Sequence, residues 1–198
     1  MITFKTKTLF FILFINLSMF AQSRTNLEML NILVDSSALS ISSQISDSNF
    51  EYNIEYQTVA EYSALNNRVE NSLVRNKIKV SLENSMNKIS YSISQASVNY
   101  SDLFKDGIFG GYLLERKFIL RGEYTIENSS SVLNADTFYY TVTDTIPYDN
   151  LNFVENNSLP FTKDNVPPEP FFPSMLEPIV AITAVVVTVV LFFTVRSN

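Results

Sequence analysis

Acid–base chemistry in this chain would fall to carboxylates, because histidine and cysteine are both absent. Their absence removes the commonest general base, the commonest transition-metal ligand, cysteine nucleophiles and disulfides. Glu51 and Glu55 lie on one face of an alternating stretch, about 13 Å apart, too far for two carboxylates acting on one bond. They read as solvating charges. Asp102, Asp106 and Asp144 are candidates by residue type alone, and no spacing joins them. The expectation is therefore no catalytic residue, no metal ligand and no cofactor. A carboxylate-based hydrolase is the enzymatic alternative.

Binding chemistry has one candidate, the glycine cluster Asp106-Gly-Ile-Phe-Gly-Gly-Tyr112, which holds three of the four glycines. It is not a phosphate loop, since it lacks Gly-Lys-Ser/Thr and does not lead from a strand into a helix. About a dozen residues separate Tyr100 from Leu113, more than a hairpin needs, and loops of that length are usually functional or disordered. One reading is an exposed partner-binding loop with Phe104, Ile108 and Phe109 at its tip. The other is a wide hairpin connection whose aromatics tuck under the sheet.

The elements that must carry this loop follow from periodicity. Thr25-Asn-Leu-Glu28 is a capping box, and behind it Leu27, Leu30, Val34, Ala38, Ile41 and Ile45 form one stripe of an amphipathic helix. Phe50 to Gln57 alternates as a half-buried strand, with Phe50, Tyr52, Ile54 and Tyr56 on one side. Asn67-Arg-Val-Glu70 reads as a second capping box, opening a short helix through Arg75 with Leu65, Val69 and Leu73 inward. Ile78, Val80 and Leu82 then predict a second strand, and Asn84 to Asn87 a hairpin-length loop into a third strand from Lys88. Ile89, Tyr91 and Ile93 share one face while Ala96, Val98 and Tyr100 have the opposite parity, so a β-bulge is expected near Ser94–Gln95. Phe118 to Ile126 makes a fourth strand. Val132 to Ile146 makes a fifth, with Phe138, Tyr140, Val142 and Ile146 inward. The predicted fold is α+β: a mixed or antiparallel sheet of about five strands with two helices on one face, plus one C-terminal transmembrane helix.

The two ends of the chain carry targeting signals. Residues 1–21 read as a signal peptide: Lys5 and Lys7, an apolar core from Leu9 to Ile15, and a cleavage site after Ala21. Residues 22–146 are the expected α+β ectodomain and 147–174 a tether, extended by Pro160, Pro167, Pro168, Pro170 and Pro173. Residues 175–195 read as the transmembrane helix, since Ile179 to Val195 contains no charge, Pro, Gly, Asn or Gln. That run covers roughly 26 Å of a roughly 30 Å hydrocarbon core. Residues 196–198 are the expected cytosolic tail, with Arg196 inside and Asp164, Glu169 and Glu177 outside, in keeping with the positive-inside rule. A buried core segment is the alternative for the Val-rich run, and an uncleaved second span the alternative for residues 1–21.

Charge narrows the partners. Between Gln22 and Ser174 there are 11 basic and 19 acidic residues, a net of −8, because Lys5, Lys7, Arg196 and Glu177 fall outside. Such a surface disfavours nucleic acid and anionic polymers. The expected partners are the membrane, through the C-terminal anchor, and another envelope protein. The helix–strand–helix–strand–strand order from Thr25 to Tyr100, and the Gly122-Glu-Tyr and Ser131-Val-Leu-Asn-Ala-Asp-Thr-Phe-Tyr-Tyr140 segments, resemble the small α/β domain of bacterial envelope assembly proteins. The TolB amino-terminal domain and the curli-secretion core are of this type. This chain lacks the lipid-attachment Cys and the pore-forming hairpins of the curli type, so pore function does not carry over. The resemblance implies a non-catalytic envelope binding or scaffolding domain, single-pass, with the bulk of the chain on the extracytoplasmic side. An accessory subunit of a larger membrane complex, working through its helix, is the alternative.

Overall fold

The computed structural model describes residues 23–45, 50–81, 85–107, 110–128, 131–168 and 171–196; in the last stretch, side chains are described for 178–194. The expected signal peptide, Leu82, Ile108, Phe109 and residues 197–198 lie outside the described residues.

Helix α1 (Asn26–Gln44) begins at the expected capping box: Glu28 N donates to Thr25 Oγ1 at 3.2 Å and Thr25 N to Glu28 Oε2 at 2.7 Å. This satisfies two amide donors that helix starts leave open. Its inner face buries Leu30, Val34, Ala38 and Ile41 completely, a gain of about 1.5–3 kcal/mol for each large side chain. Strand β1 (Glu51–Tyr56) follows, then a 3-10 helix over Ala60–Leu65 that runs directly into α2 (Asn66–Arg75). The expected Asn67 capping box is therefore not used. Residues before Asn67 already have helical backbone, and the N-cap position, Leu65, makes no side-chain cap. Leu65, Val69 and Leu73 are fully buried, as their spacing requires.

The second strand is much shorter than its alternation predicts. Lys77 has a φ of 68° and closes α2 instead, with Lys77 N donating to Val74 O and Ile78 N to Leu73 O. Only Lys79–Val80 remain as β2. The expected β2–β3 hairpin is also absent. Both strands lie parallel to β1, on opposite sides of it.

Three long strands form the rest: β3 (Asn87–Lys105), β4 (Tyr112–Asn128) and β5 (Ser131–Pro147), paired antiparallel, for a mixed sheet of order β2-β1-β3-β4-β5. The expected bulge lies between Ile93 and Gln95, and a second lies between Tyr100 and Asp102. The first returns Ala96, Val98 and Tyr100 to the helix side, and the second does the same for Leu103. Opposite the first bulge stands Gly122, where a Cβ would meet Ser92 O at 2.0 Å and Phe138 Cζ at 2.4 Å. The ring of Phe138 occupies the space a side chain would need and stacks on Tyr91 at 5.3 Å. Helix α1 lies across β4 and β5, and Ser37 Oγ reaches Tyr91 Oη at 2.7 Å. Helix α2 packs on α1 and β2, and the bidentate pair of Arg68 with Asp35 joins the two helices.

The stretch after Pro147 departs from the expected tether. Residues 148–162 form a 3-10 turn (Tyr148–Asn150), a short helix α3 (Leu151–Val154) and another 3-10 turn (Pro160–Thr162). Val154, Phe161 and Thr162 are buried against the domain, and the Phe161 ring meets Tyr62 edge-on at 5.6 Å. Residues 163–168, after these turns, have no regular structure. Beyond them α4 runs from Phe171 to Arg196. Among the described residues no helix presents an eighteen-residue window apolar enough to cross a membrane. The described side chains of α4 cover 178–194, and its backbone continues on both sides.

Candidate functional site

Alternation along β4 puts even-numbered residues on the helix side, so Arg116 sits in the same row as Leu114, Phe118 and Leu120 and is fully buried. A buried guanidinium needs its donors matched, because an unpaired buried charge is very costly. Arg116 Nε donates to Asp144 Oδ1 at 2.8 Å and Nη2 to Asp144 Oδ2 at 2.5 Å, a two-pronged pair across β4 and β5. Nη1 donates to Asn26 Oδ1 at 2.6 Å and to the Arg24 carbonyl at 3.0 Å, while the guanidinium carbon stands 5.1 Å from the Phe118 ring centre. Asn26, the first residue of α1 and also fully buried, passes the network on. Its Nδ2 donates to Tyr100 Oη at 2.9 Å and to the Thr162 carbonyl at 2.8 Å.

Tyr100 Oη donates in turn to Glu155 Oε1 at 2.8 Å, and Asp164 Oδ2 accepts from Tyr100 N at 3.3 Å and Asn99 Nδ2 at 3.2 Å. Asn150 Nδ2 reaches Ser23 Oγ at 3.0 Å. One chain of polar contacts thus ties residues 23–26, the three long strands and the 148–164 segment together. Chemically it is a closed structure. Asp144 is held by the guanidinium and offers no free base. Burial, then the Glu155 hydrogen bond, push the Tyr100 phenol above its ordinary value of 10.0, so it stays neutral at physiological pH.

The other two acidic candidates do not join it. Asp102 pairs in register with Glu115, and Asp106 sits exposed in the β3–β4 turn, where its N–H donates to Gly111 O at 2.9 Å. Among the described residues no group of three or more acidic, His or Cys side chains is arranged to hold a metal. Glu51 and Glu55 are both exposed, and Glu55 Oε2 pairs with Lys88 at 2.7 Å.

The glycine loop is shorter than its sequence indicates, because β3 continues to Lys105 and β4 begins at Tyr112. Between them Asp106 N–H meets Gly111 O, and Gly107 has a φ of 72°, a backbone state that favours glycine. Of the three expected tip residues, Phe104 is at the strand end and 36% exposed, while Ile108 and Phe109 are not described. On the sheet face away from the helices, Gly122 and the bulge leave a shallow depression of about 480 Å³. Arg121 lies over the Tyr139 ring at 5.2 Å beside it, with Glu123 and Thr137 also at its edge.

Sequence reasoning singled out Asp144 by type but missed Arg116 and Asn26. Their signal was present: a cation on the apolar parity of a strand, and an Asn inside the first turn of a capped helix.

No protein-family model matches the chain, and no curated protein matches it. Two solved structures that resemble it are a minor lipoprotein from Acinetobacter baumannii and rare lipoprotein B from Shewanella oneidensis. The first is 17% identical with a TM-score of 0.33, over 50% of this chain and 66% of that one. The second is 13% identical with a TM-score of 0.31, over 73% and 93%. Both are lipoproteins, and neither is of the TolB or curli-secretion type to which the element order was likened. Likeness at this level leaves function to be argued from the chain's own residues.

Proposed function

We propose that this chain is an exported, non-catalytic envelope protein. In this reading residues 1–21 are a signal peptide, the α+β domain lies outside the cytosol, residues 175–195 span the membrane, and Arg196 to Asn198 face inward. One observation carries the reading: the described side chains of α4, residues 178–194, are largely apolar and all exposed. Ile182 is 64% exposed, Val185 63% and Phe193 67%, whereas the apolar core of the domain lies at 6% or less. The eleven large apolar side chains left open between Ile179 and Phe193 correspond to on the order of 20 kcal/mol of burial that only another phase or another protein can supply. The hydroxyls of the same stretch ask nothing of water. Thr183, Thr188 and Thr194 each donate at 2.8 Å to the carbonyl four residues earlier. The first candidate for contact with an envelope partner is the β3–β4 turn, through Phe104, Ile108 and Phe109. The closed Arg116 network supports a scaffold rather than an active site, since its groups are spent on each other.

Alkaline carbonate extraction of membranes tests the anchor. The full chain is expected in the pellet, and a chain truncated after Pro173 in the supernatant. Release of the full chain by carbonate would overturn the reading.

A further inference from the structure

We infer that β5 is a self-association edge: it pairs antiparallel with β5 of a second copy, about a two-fold axis at Thr141. The inference starts from how the fold treats its other edges. On the far side of the sheet, β2 is only two residues long. Where β1 ends and leaves β3 open, the 160–164 segment covers that side, with Asp164 accepting from Tyr100 N. Strand β5 is the other outer strand, is seventeen residues long, and among the described residues pairs only with β4. Natural edges of that length are guarded by Lys, Pro, inward charges or a covering segment. Thr137 to Thr143 contains no charge and no Pro. Tyr139 is 52% exposed, and Tyr140 and Val142 are only partly buried at the rim of the core.

The self-complementary pairing of β5 favours a second copy as the occupant. The chain is acidic, with a formal net charge of −6, so two copies repel over most of their surfaces; they can meet where neither carries charge. Antiparallel pairing about Thr141 sets Thr141 against itself, Thr137 against Thr145 and Tyr139 against Thr143 on the outer face. On the helix side it sets Tyr140 against Val142 twice by symmetry, an aromatic–β-branched pair of the kind that stabilises sheets. Asp136 then faces Ile146. Asp144, already held by Arg116, faces Phe138. Moving the axis to Tyr140 would set Asp136 against Asp144, so like-charge repulsion excludes that register, and the doubled Tyr140–Val142 pair favours the axis at Thr141.

Because the chain has no cysteine, the test is clean. Thr141→Cys in the full chain, in mild detergent, is expected to give a disulfide-linked dimer with a mild oxidant, as is a mixture of Tyr139→Cys with Thr143→Cys. Leu133→Cys, far from the axis, is expected to give at least tenfold less. Thr141→Lys, at an exposed position, is expected to keep the native circular dichroism spectrum while shifting the light-scattering mass from two chains to one. Thr141→Cys crosslinking no better than Leu133→Cys would overturn the inference. So would a monomeric mass for the unsubstituted chain, crosslinks mainly to a different protein, or a ladder of higher species.

Discussion

Asp144→Ala removes the carboxylate that pairs with the Arg116 guanidinium and leaves its hydrogen bonds to Asn26 and the Arg24 carbonyl in place. Breaking a buried pair from one side typically costs 3–5 kcal/mol, because the remaining charge stays desolvated. The Asp144 side chain is 30% exposed and Arg116 fully buried, so water can reach the vacated position and the lower end, about 3 kcal/mol, applies. At about 2–4 °C per kcal/mol for a chain of this size, the melting temperature should fall by roughly 6–12 °C. The assay is thermal unfolding of the full chain in detergent, followed by near- and far-ultraviolet circular dichroism. Arg116→Met combined with Asp144→Ala should recover only part of the loss, since it removes the stranded charge but leaves the Asn26 amide oxygen and the Arg24 carbonyl without their donor. If Asp144→Ala costs under about 1 kcal/mol, as expected of an exposed pair, the argument that this network holds the N-terminal and pre-helix segments together is wrong.

Gly122→Ala should destabilise by about 1–3 kcal/mol in the same assay, because the added carbon meets Ser92 O and the Phe138 ring; a neutral result would mean the bulge relaxes freely. Phe161→Ala should cost about 3–5 kcal/mol if residues 148–162 belong to the fold, and almost nothing if they are a tether. Alkaline titration should show stability falling above pH 10. Burial holds the Tyr91 phenol above its ordinary 10.0, so the folded state keeps a proton that the unfolded state releases. That group's contribution is complete below pH 10 and declines by about 1.4 kcal/mol per pH unit up to its folded pKa. Flat stability between pH 9 and 11 would contradict it.

What the sequence made legible was local. The α1 capping box, the stripe from Leu30 to Ile41 and the parity switch around Ser94 all depend on neighbours within a few residues, and all appear in the structure. The order of strands does not depend on neighbours in this way. Nothing between Ile78 and Lys88 indicates that β2 and β3 flank β1 instead of each other, because that choice is made by contacts with α2 and β1. The Asn67 cap failed because it supposed a free helix start where a 3-10 helix already leads in. Residues 148–162 looked like a linker because short turns have no period, yet Val154 and Phe161 are buried anchors. For the candidate site, Phe104 stands in β3 and not at the loop tip, and the loop was read too long because the second bulge reverses the parity of Leu103.

The most direct test of the central claim, an exported domain anchored by α4, uses the absence of cysteine. Ser174→Cys and Ser197→Cys stand on either side of the proposed span, and each can be probed on intact spheroplasts with a membrane-impermeant maleimide. The account predicts labelling at position 174 before lysis and at position 197 only after it. Labelling of both positions in intact cells, or the reverse pattern, would contradict it.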